Sequence, residues 1–410
     1  MNLEARIAIE ALRAGVPNRT AIRRMGNEHT LIEVDFERAL EAAWQPNAAP
    51  GFGFAGGFGT GKSHLLGYLA EVARGQRAIV SRVAISKETP LANPTAVFAA
   101  AVRNAVLPDG PDDALGACLA QLRAHPDRAQ ALEDAVSAPE AGFAPIFAAV
   151  PFLLRRSASP PELLRGIERM LGGSRIPTPA VRAALRAAGA RGTFPLTRID
   201  PRQLAAQRIA FLPMLFRAAG YGPWCLLLDE VELIGRYTPL QRALAYAQLA
   251  GWLGFGAARR PAGLVALFAI TDDFVEAVIN PKLDSERLPE RLRLKGRDDE
   301  AALAAAGIAA IERSVRTHRL AAPEAHDLVA CHDKLRVLYT EAYDWPAPDL
   351  PPAIRTSSRT MRHYIKSWVT QWDLARLLGR RDALVTETLT TNYAEDASLD
   401  AAPPEGEEAE

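Results

Sequence analysis

The apolar positions of this 410-residue chain change period along its length. "NLEARIAIEALRAGVP" repeats its apolar residues at helical spacing, and Gly15 with Pro17 stops the pattern. A second helical pattern covers 33–43. "GFGFAG" (51–56) is a short apolar run and predicts a buried strand despite its glycines. Residues 63–73 return to a helical period. "RAIVSRVAIS" (77–86) alternates and is β-branched, which predicts a strand. "CLLLDEVELI" (225–234) opens as a continuous apolar strand, and "GLVALFAITDD" (263–273) contains another.

Between 94 and 207 the pattern gives helices and turns rich in Ala, Leu and Pro, with no strand. Residues 298–373 are again helical, and no internal repeat is present. Apolar strands buried on both faces and separated by helices predict a parallel α/β sheet. The stretch from Ser86 to Trp224 is far too long for one crossover helix, so a helical insertion is expected. The expected organisation is an N-terminal helical segment (1–45), a core (46–93 and 208–297), an insertion (94–207), a C-terminal helical unit (298–392) and a tail (393–410).

Composition narrows this picture. A hydrophobic fraction of 49% and a mean hydropathy of -0.04 fit an ordinary globular chain, and no uncharged apolar run is long enough to span a bilayer. The N-terminus has charges early and no apolar signal core. Cys118, Cys225 and Cys331 are odd in number and far apart, which argues against a disulfide framework or zinc site and for the cytoplasm. The formal net charge is zero, yet residues 393–410 hold seven acidic and no basic residues. The remainder is therefore 0 − (−7) = +7, a balance that permits a polyanionic partner. The acidic, Pro-containing end is expected to be disordered.

Lysine occurs at only six positions, and one of them directly follows Gly61. "GGFGTGKS" (56–63) satisfies G-x-x-x-x-G-K-[ST] at every fixed position. Glycines let backbone N–H groups approach phosphate oxygens with no Cβ in the way. The helix that follows adds its N-terminal dipole. The expected nucleotide cradle is Gly56, Gly57, Phe58, Gly59, Thr60, Gly61, Lys62, Ser63 and His64. Lys62 supplies a mobile charge for the β- and γ-phosphates of ATP, and the Ser63 hydroxyl is an expected Mg2+ ligand.

A buried strand ending in Asp229-Glu230 puts two carboxylates at the sheet edge where the loop also lies. Asp229 is expected to hold the metal, and Glu230 to orient the attacking water. Glu232 is held in reserve and expected on a helix surface. Thr271 ends the next strand, where its hydroxyl can reach the γ-phosphate or the water; Asp272 and Asp273 are read as caps. Arg287, Arg291 and Arg293 in "DSERLPERLRLK" are candidates for reaching another subunit's γ-phosphate. Arg359 and Arg362 stand near a helix start, from which one of them can reach the nucleotide. Lys87 follows a strand end on the same side. Trp368 and Trp372, four apart, are most simply core or interface. "NPKLD" (280–284) only superficially resembles a guanine-reading Asn-Lys-x-Asp, because Pro281 interrupts it, so a GTP switch is disfavoured.

Together, "GGFGTGKSHLLGYLAE", "RVAISKETPLANP", "LLLDEVELI", "ALFAITDDF" and "TSSRTMRHYIKSWVTQWDL" resemble the P-loop ATP-binding proteins of BREX-type phage-defence loci. More broadly they are similar to AAA+ ATPases of the origin-recognition/Cdc6-like group. The resemblance implies a five-stranded αβα core with a helical lid. It implies Thr271 at a sensor position and Arg359 or Arg362 at a lid sensor. It also implies a helicase-like partner and DNA; the expected assembly is a homo-oligomer acting with double-stranded DNA or with a helicase, nuclease or methyltransferase of the same system. A nucleotide-gated scaffold that binds ATP with little hydrolysis is the alternative expectation, because no motif fixes an arginine acting in trans.

Overall fold

The computed structural model describes residues 2–16, 18–45, 48–110, 113–156, 160–256, 260–321, 323–350, 360–379 and 393–400. Five strands form one sheet: β1 (Phe52–Ala55), β2 (Ile79–Ala84), β3 (Ala105–Val106), β4 (Trp224–Asp229) and β5 (Leu264–Ile270). Their order is β1-β5-β4-β2-β3. The first four are mutually parallel, and β3 adds antiparallel to β2 at one edge. At the other edge the chain returns beside β1, where Leu320 N donates to Ala55 O at 2.7 Å.

The apolar runs of β4 and β5 are buried on both faces, as helix layers on each side of a parallel sheet require. Alternation divides them. Cys225, Leu227, Val265, Leu267 and Ala269 face Ile32, Phe36 and Leu40 of the helix Thr30–Glu41 and Leu65, Leu66 and Leu69 of the helix Lys62–Gly75. Trp224, Leu226, Leu228, Leu264, Ala266 and Phe268 face the helices Pro201–Ala218, Pro239–Leu253 and Asp298–Thr317.

The expected insertion is helical, with one correction: it contains β3, too short and too plain in sequence to be read. Its first helix, Pro94–Arg103, is tied to the sheet through Ser81, which donates to Ala101 O at 2.6 Å and accepts from Trp224 Nε1 at 2.9 Å. The helix Pro201–Ala218 runs through the expected boundary at 207, and Phe211, Leu212, Leu215 and Phe216 place insertion and sheet in one core.

A separate cluster joins the two ends of the chain. Ala5, Ala8 and Ile9 of the helix Leu3–Ala14 pack with Leu335, Leu338 and Tyr339 of the helix Ala325–Tyr343 and with Trp368, Val369 and Trp372 of the helix Met361–Leu378. A short helix, Arg19–Met25, that the pattern does not reveal joins this cluster through Ala21 and Met25. Trp368 and Trp372 are core residues, flanking the His332 ring at 5.2 and 5.5 Å. No helix among the described residues is long and apolar enough to cross a membrane.

Candidate functional site

β1 runs into the glycine loop, and Gly56 N donates to Ile270 O at 3.0 Å, so the loop starts at the carboxyl end of β5. Gly61 stands at φ 106, a left-handed setting that side chains resist, and caps the helix that Lys62 begins. No side chain caps that N-terminus, which leaves its first N–H groups directed at the loop's concavity. Lys62 Nζ donates to Gly56 O at 2.9 Å and to Gly57 O at 3.3 Å, and lies 5.7 Å from the Phe58 ring centre. Thr60 Oγ1 closes the turn on Gly57 O at 2.9 Å.

β4 delivers Asp229, 7% exposed, to the same edge. Its Oδ1 accepts from Glu230 N at 3.0 Å and its Oδ2 from Arg82 Nη2 at 3.2 Å. The same Arg82 nitrogen reaches Ser63 O at 3.3 Å. Arg82 thus spans the gap between the glycine loop's helix and the acid-bearing strand. Glu230 is held at φ 58, outside the conformations that L-residues prefer. Burial, and then the charge of Asp229, push its carboxyl above the usual range, while Lys62 opposes them.

Glu232 departs from expectation. Instead of lying on a helix surface it is enclosed in the turn Val231–Arg236, with Oε1 3.7 Å from Lys62 Nζ. Its Oε2 is buried with no hydrogen-bond partner among the described residues. Burial raises its carboxyl pKa, and Lys62 is the main opposing influence.

These groups surround one cavity of about 1040 Å³. Phe58, Gly59, Thr60, Gly61, Lys62, Ser63 and His64 line it, with Asp229, Glu230, Glu232 and Arg82. Its remaining walls come from the first helices, residues between 321 and 331 and the helix Met361–Leu378, with Leu233 and Arg236 beside the acids. Leu12, Val16, Ile22 and Met25 contribute from the first helices, and Met361, Arg362 and Ile365 from the last. Arg362 Nη2 donates to Gly15 O at 2.5 Å, and its backbone N to Gly59 O at 3.4 Å, so the C-terminal helix starts on the glycine loop. Gly15 is at φ 72, and a Cβ there would overlap the Arg362 guanidinium. His64 Nε2 donates to Gly26 O at 2.9 Å, so this histidine joins the loop's helix to the N-terminal segment. Desolvation pushes its pKa below the usual value of 6.5.

Other expected residues fall elsewhere. Arg359 lies outside the described residues. Arg287, Arg291 and Arg293 are exposed on the helix Asp284–Arg293 and do not line the cavity. Lys87 is exposed and likewise absent from the lining. Lys282 of "NPKLD" bonds Gly235 O at 2.8 Å and is not in the cavity wall. Thr271 is 1% exposed and does not reach the cavity surface; its Oγ1 lies 2.5 Å from the hydroxyl of Tyr393, which does.

Of the acidic end expected to be disordered, the part 393–400 is described. Residues 393–400 lie against the core, while 401–410 are outside the described residues. Asp396 pairs with Arg236 at 2.9 Å, Asp400 accepts from Thr238 Oγ1 at 2.6 Å, and Glu395 meets Arg242 at 3.3 Å. Three carboxylates of that run, Glu395, Asp396 and Asp400, thus have partners on the core.

No curated protein and no solved structure matches the chain. Its first third does match a protein family. Residues 2–133, which contain the N-terminal cavity wall, the glycine loop and Arg82, match the family model of the BREX system ATP-binding protein BrxC/D.

Proposed function

We propose that this chain is a Mg2+-dependent ATPase of a phage-defence system, built on an AAA+-type P-loop core. One observation carries the reading: Lys62, Ser63, Asp229 and Glu230, drawn from two strand ends far apart in sequence, surround a single cavity. In this reading the uncapped helix N-terminus and Lys62 hold the phosphates. The Ser63 hydroxyl and the Asp229 carboxylate form a small hard-oxygen donor set, and magnesium takes few protein ligands where phosphate supplies the others. Bound magnesium would neutralise charge building on the phosphate oxygens. Glu230, its proton affinity raised by burial, orients a water and accepts its proton. The apolar wall of Leu12, Val16, Ile22, Met361 and Ile365 suits the flat face of a base.

Equilibrium binding of a fluorescent ATP analogue with Mg2+ tests this. Lys62→Ala is expected to abolish binding; unchanged affinity in that variant refutes the phosphate-loop assignment.

A second reading, the nucleotide-gated scaffold, is favoured by the Thr271–Tyr393 hydrogen bond, which turns the Thr271 hydroxyl away from the cavity. Turnover measured with and without double-stranded DNA separates the two, since brisk DNA-stimulated hydrolysis excludes a pure scaffold. Assembly as a homo-oligomer, with Arg287 or Arg291 serving a neighbouring copy, belongs to the first reading. So does action on double-stranded DNA or with a helicase, nuclease or methyltransferase of the same system. The +7 balance outside the tail supports the DNA contact, which would weaken steeply with salt.

A further inference from the structure

The carboxyl end of β5 adjoins the glycine loop, so a hydroxyl at Thr271 is well placed to meet the last phosphate held there. The structure directs that hydroxyl elsewhere. Tyr393 has one proton, and its hydroxyl lies 3.0 Å from Asp273 Oδ1, an oxygen that can only accept. The tyrosine therefore donates to Asp273, and the 2.5 Å contact with Thr271 is filled by the threonine's own proton. Thr271 has no proton left to give. The ring of Tyr393 also stands in the cavity wall, with Thr271 buried behind it.

We propose that Tyr393 is a positioning residue that sets the hydrogen-bond direction of Thr271, and that undocking of residues 393–400 turns Thr271 into a donor for the γ-phosphate of bound ATP. The inference rests on the ATP reading above. Its consequence is specificity: docked, the site lacks one donor that distinguishes ATP from ADP; undocked, it gains it. The docking is built from separable contacts. Tyr393 packs edge-on against Phe274 at 6.0 Å, and Lys282 Nζ bonds Tyr393 O at 3.3 Å. Asp396 and Asp400 hold the far end on Arg236 and Thr238, away from Thr271. Glu395 reaches Arg242, whose guanidinium is otherwise committed to the buried Asp284. Tyr393 and Leu399 rest on the outside of the main core cluster, so undocking uncovers part of that surface and leaves the fully buried residues beneath in place.

The test compares Mg·ATP and Mg·ADP dissociation constants in the full chain by titration calorimetry. A hydrogen bond to a charged phosphate oxygen corresponds to roughly tenfold in affinity. Tyr393→Ala is expected to raise the ATP/ADP affinity ratio by about that factor. Asp400→Ala, which loosens the anchor on Thr238 outside the cavity wall, raises it by less. Adding Thr271→Ala to Tyr393→Ala cancels the gain. An unchanged ratio in Tyr393→Ala, or a gain that survives Thr271→Ala, overturns the proposal while leaving ATP binding intact. A wild-type chain that binds neither nucleotide overturns the ATP reading and this inference with it.

Discussion

Arg82 and Asp229 sit on adjacent parallel strands, and the arginine's Nη2 donates to the aspartate's Oδ2 at 3.2 Å while also reaching the Ser63 carbonyl. One guanidinium thus sets the spacing between the two halves of the candidate phosphate site. The Arg82 side chain is 30% exposed, and its partner Asp229 lines the cavity, where water can take the guanidinium's place. Arg82→Ala is expected to unfold near the wild-type denaturant midpoint but to hydrolyse ATP at least about tenfold more slowly, since small displacements at a reacting centre are costly. Arg82→Lys, a point charge without the fork, should recover little. Full turnover in either variant removes Arg82 from the site.

Glu230 and Glu232 compete for the role of water-orienting base, and substitution separates them. Glu230→Gln is expected to retain ATP but lose turnover by at least about a hundredfold. Glu232→Gln removes a negative charge beside Lys62 and beside the expected phosphates, so ATP affinity should hold or rise. Single-turnover hydrolysis with paired binding measurements decides it. The reverse pattern transfers the base assignment to Glu232.

Arg242 and Asp284 are buried together, 2% and 0% exposed, with a two-pronged contact at 2.7 and 2.9 Å and a third bond from Tyr246 to the carboxylate. Arg242→Ala leaves a buried carboxylate without its charge partner and should destabilise the fold by about 3–5 kcal/mol. Arg242→Met with Asp284→Leu should be markedly less damaging than Arg242→Ala. Denaturant midpoints for the three proteins test this directly.

His64 is disfavoured as an imidazolium by its enclosure, and His29 is shifted the same way. With the folded pKa below the unfolded value of 6.5, the unfolded chain takes up protons first as pH falls. Stability is then complete above about pH 6.5 and declines below it, until the folded-state pKa is passed. Thermal midpoints measured downward from pH 7.5 should fall more steeply in wild type than in His64→Gln. Parallel curves exclude a His64 contribution.

The glycine loop and the acid-bearing strand were legible because each rests on local chemistry: close backbone approach demands glycine, and a buried strand ending in acids breaks its own pattern. Arg82 left a fainter trace, a single charge inside the apolar run "IVSRVA". Only the pairing of β2 with β4 gives it meaning. Glu232 lies inside because the turn after β4 curls inward, which three-residue spacing does not disclose. Tyr393 could not be found by pattern. It bonds Thr271 from 122 positions away, within a stretch whose composition reads as solvated, and the partners of its carboxylate neighbours (Arg242, Lys282, Arg236 and Thr238) are likewise distant in sequence.

The cluster that joins the helix Leu3–Ala14 to the helices Ala325–Tyr343 and Met361–Leu378 also encloses the cavity. During synthesis, the first helix leaves the ribosome hundreds of residues before its packing partners. Its apolar face is fully packed only once Trp368 and Trp372 have been made. Nascent chains stalled before that point should lack the finished cavity, and a small molecule that needs the whole enclosure could stabilise only chains extended past the last helix.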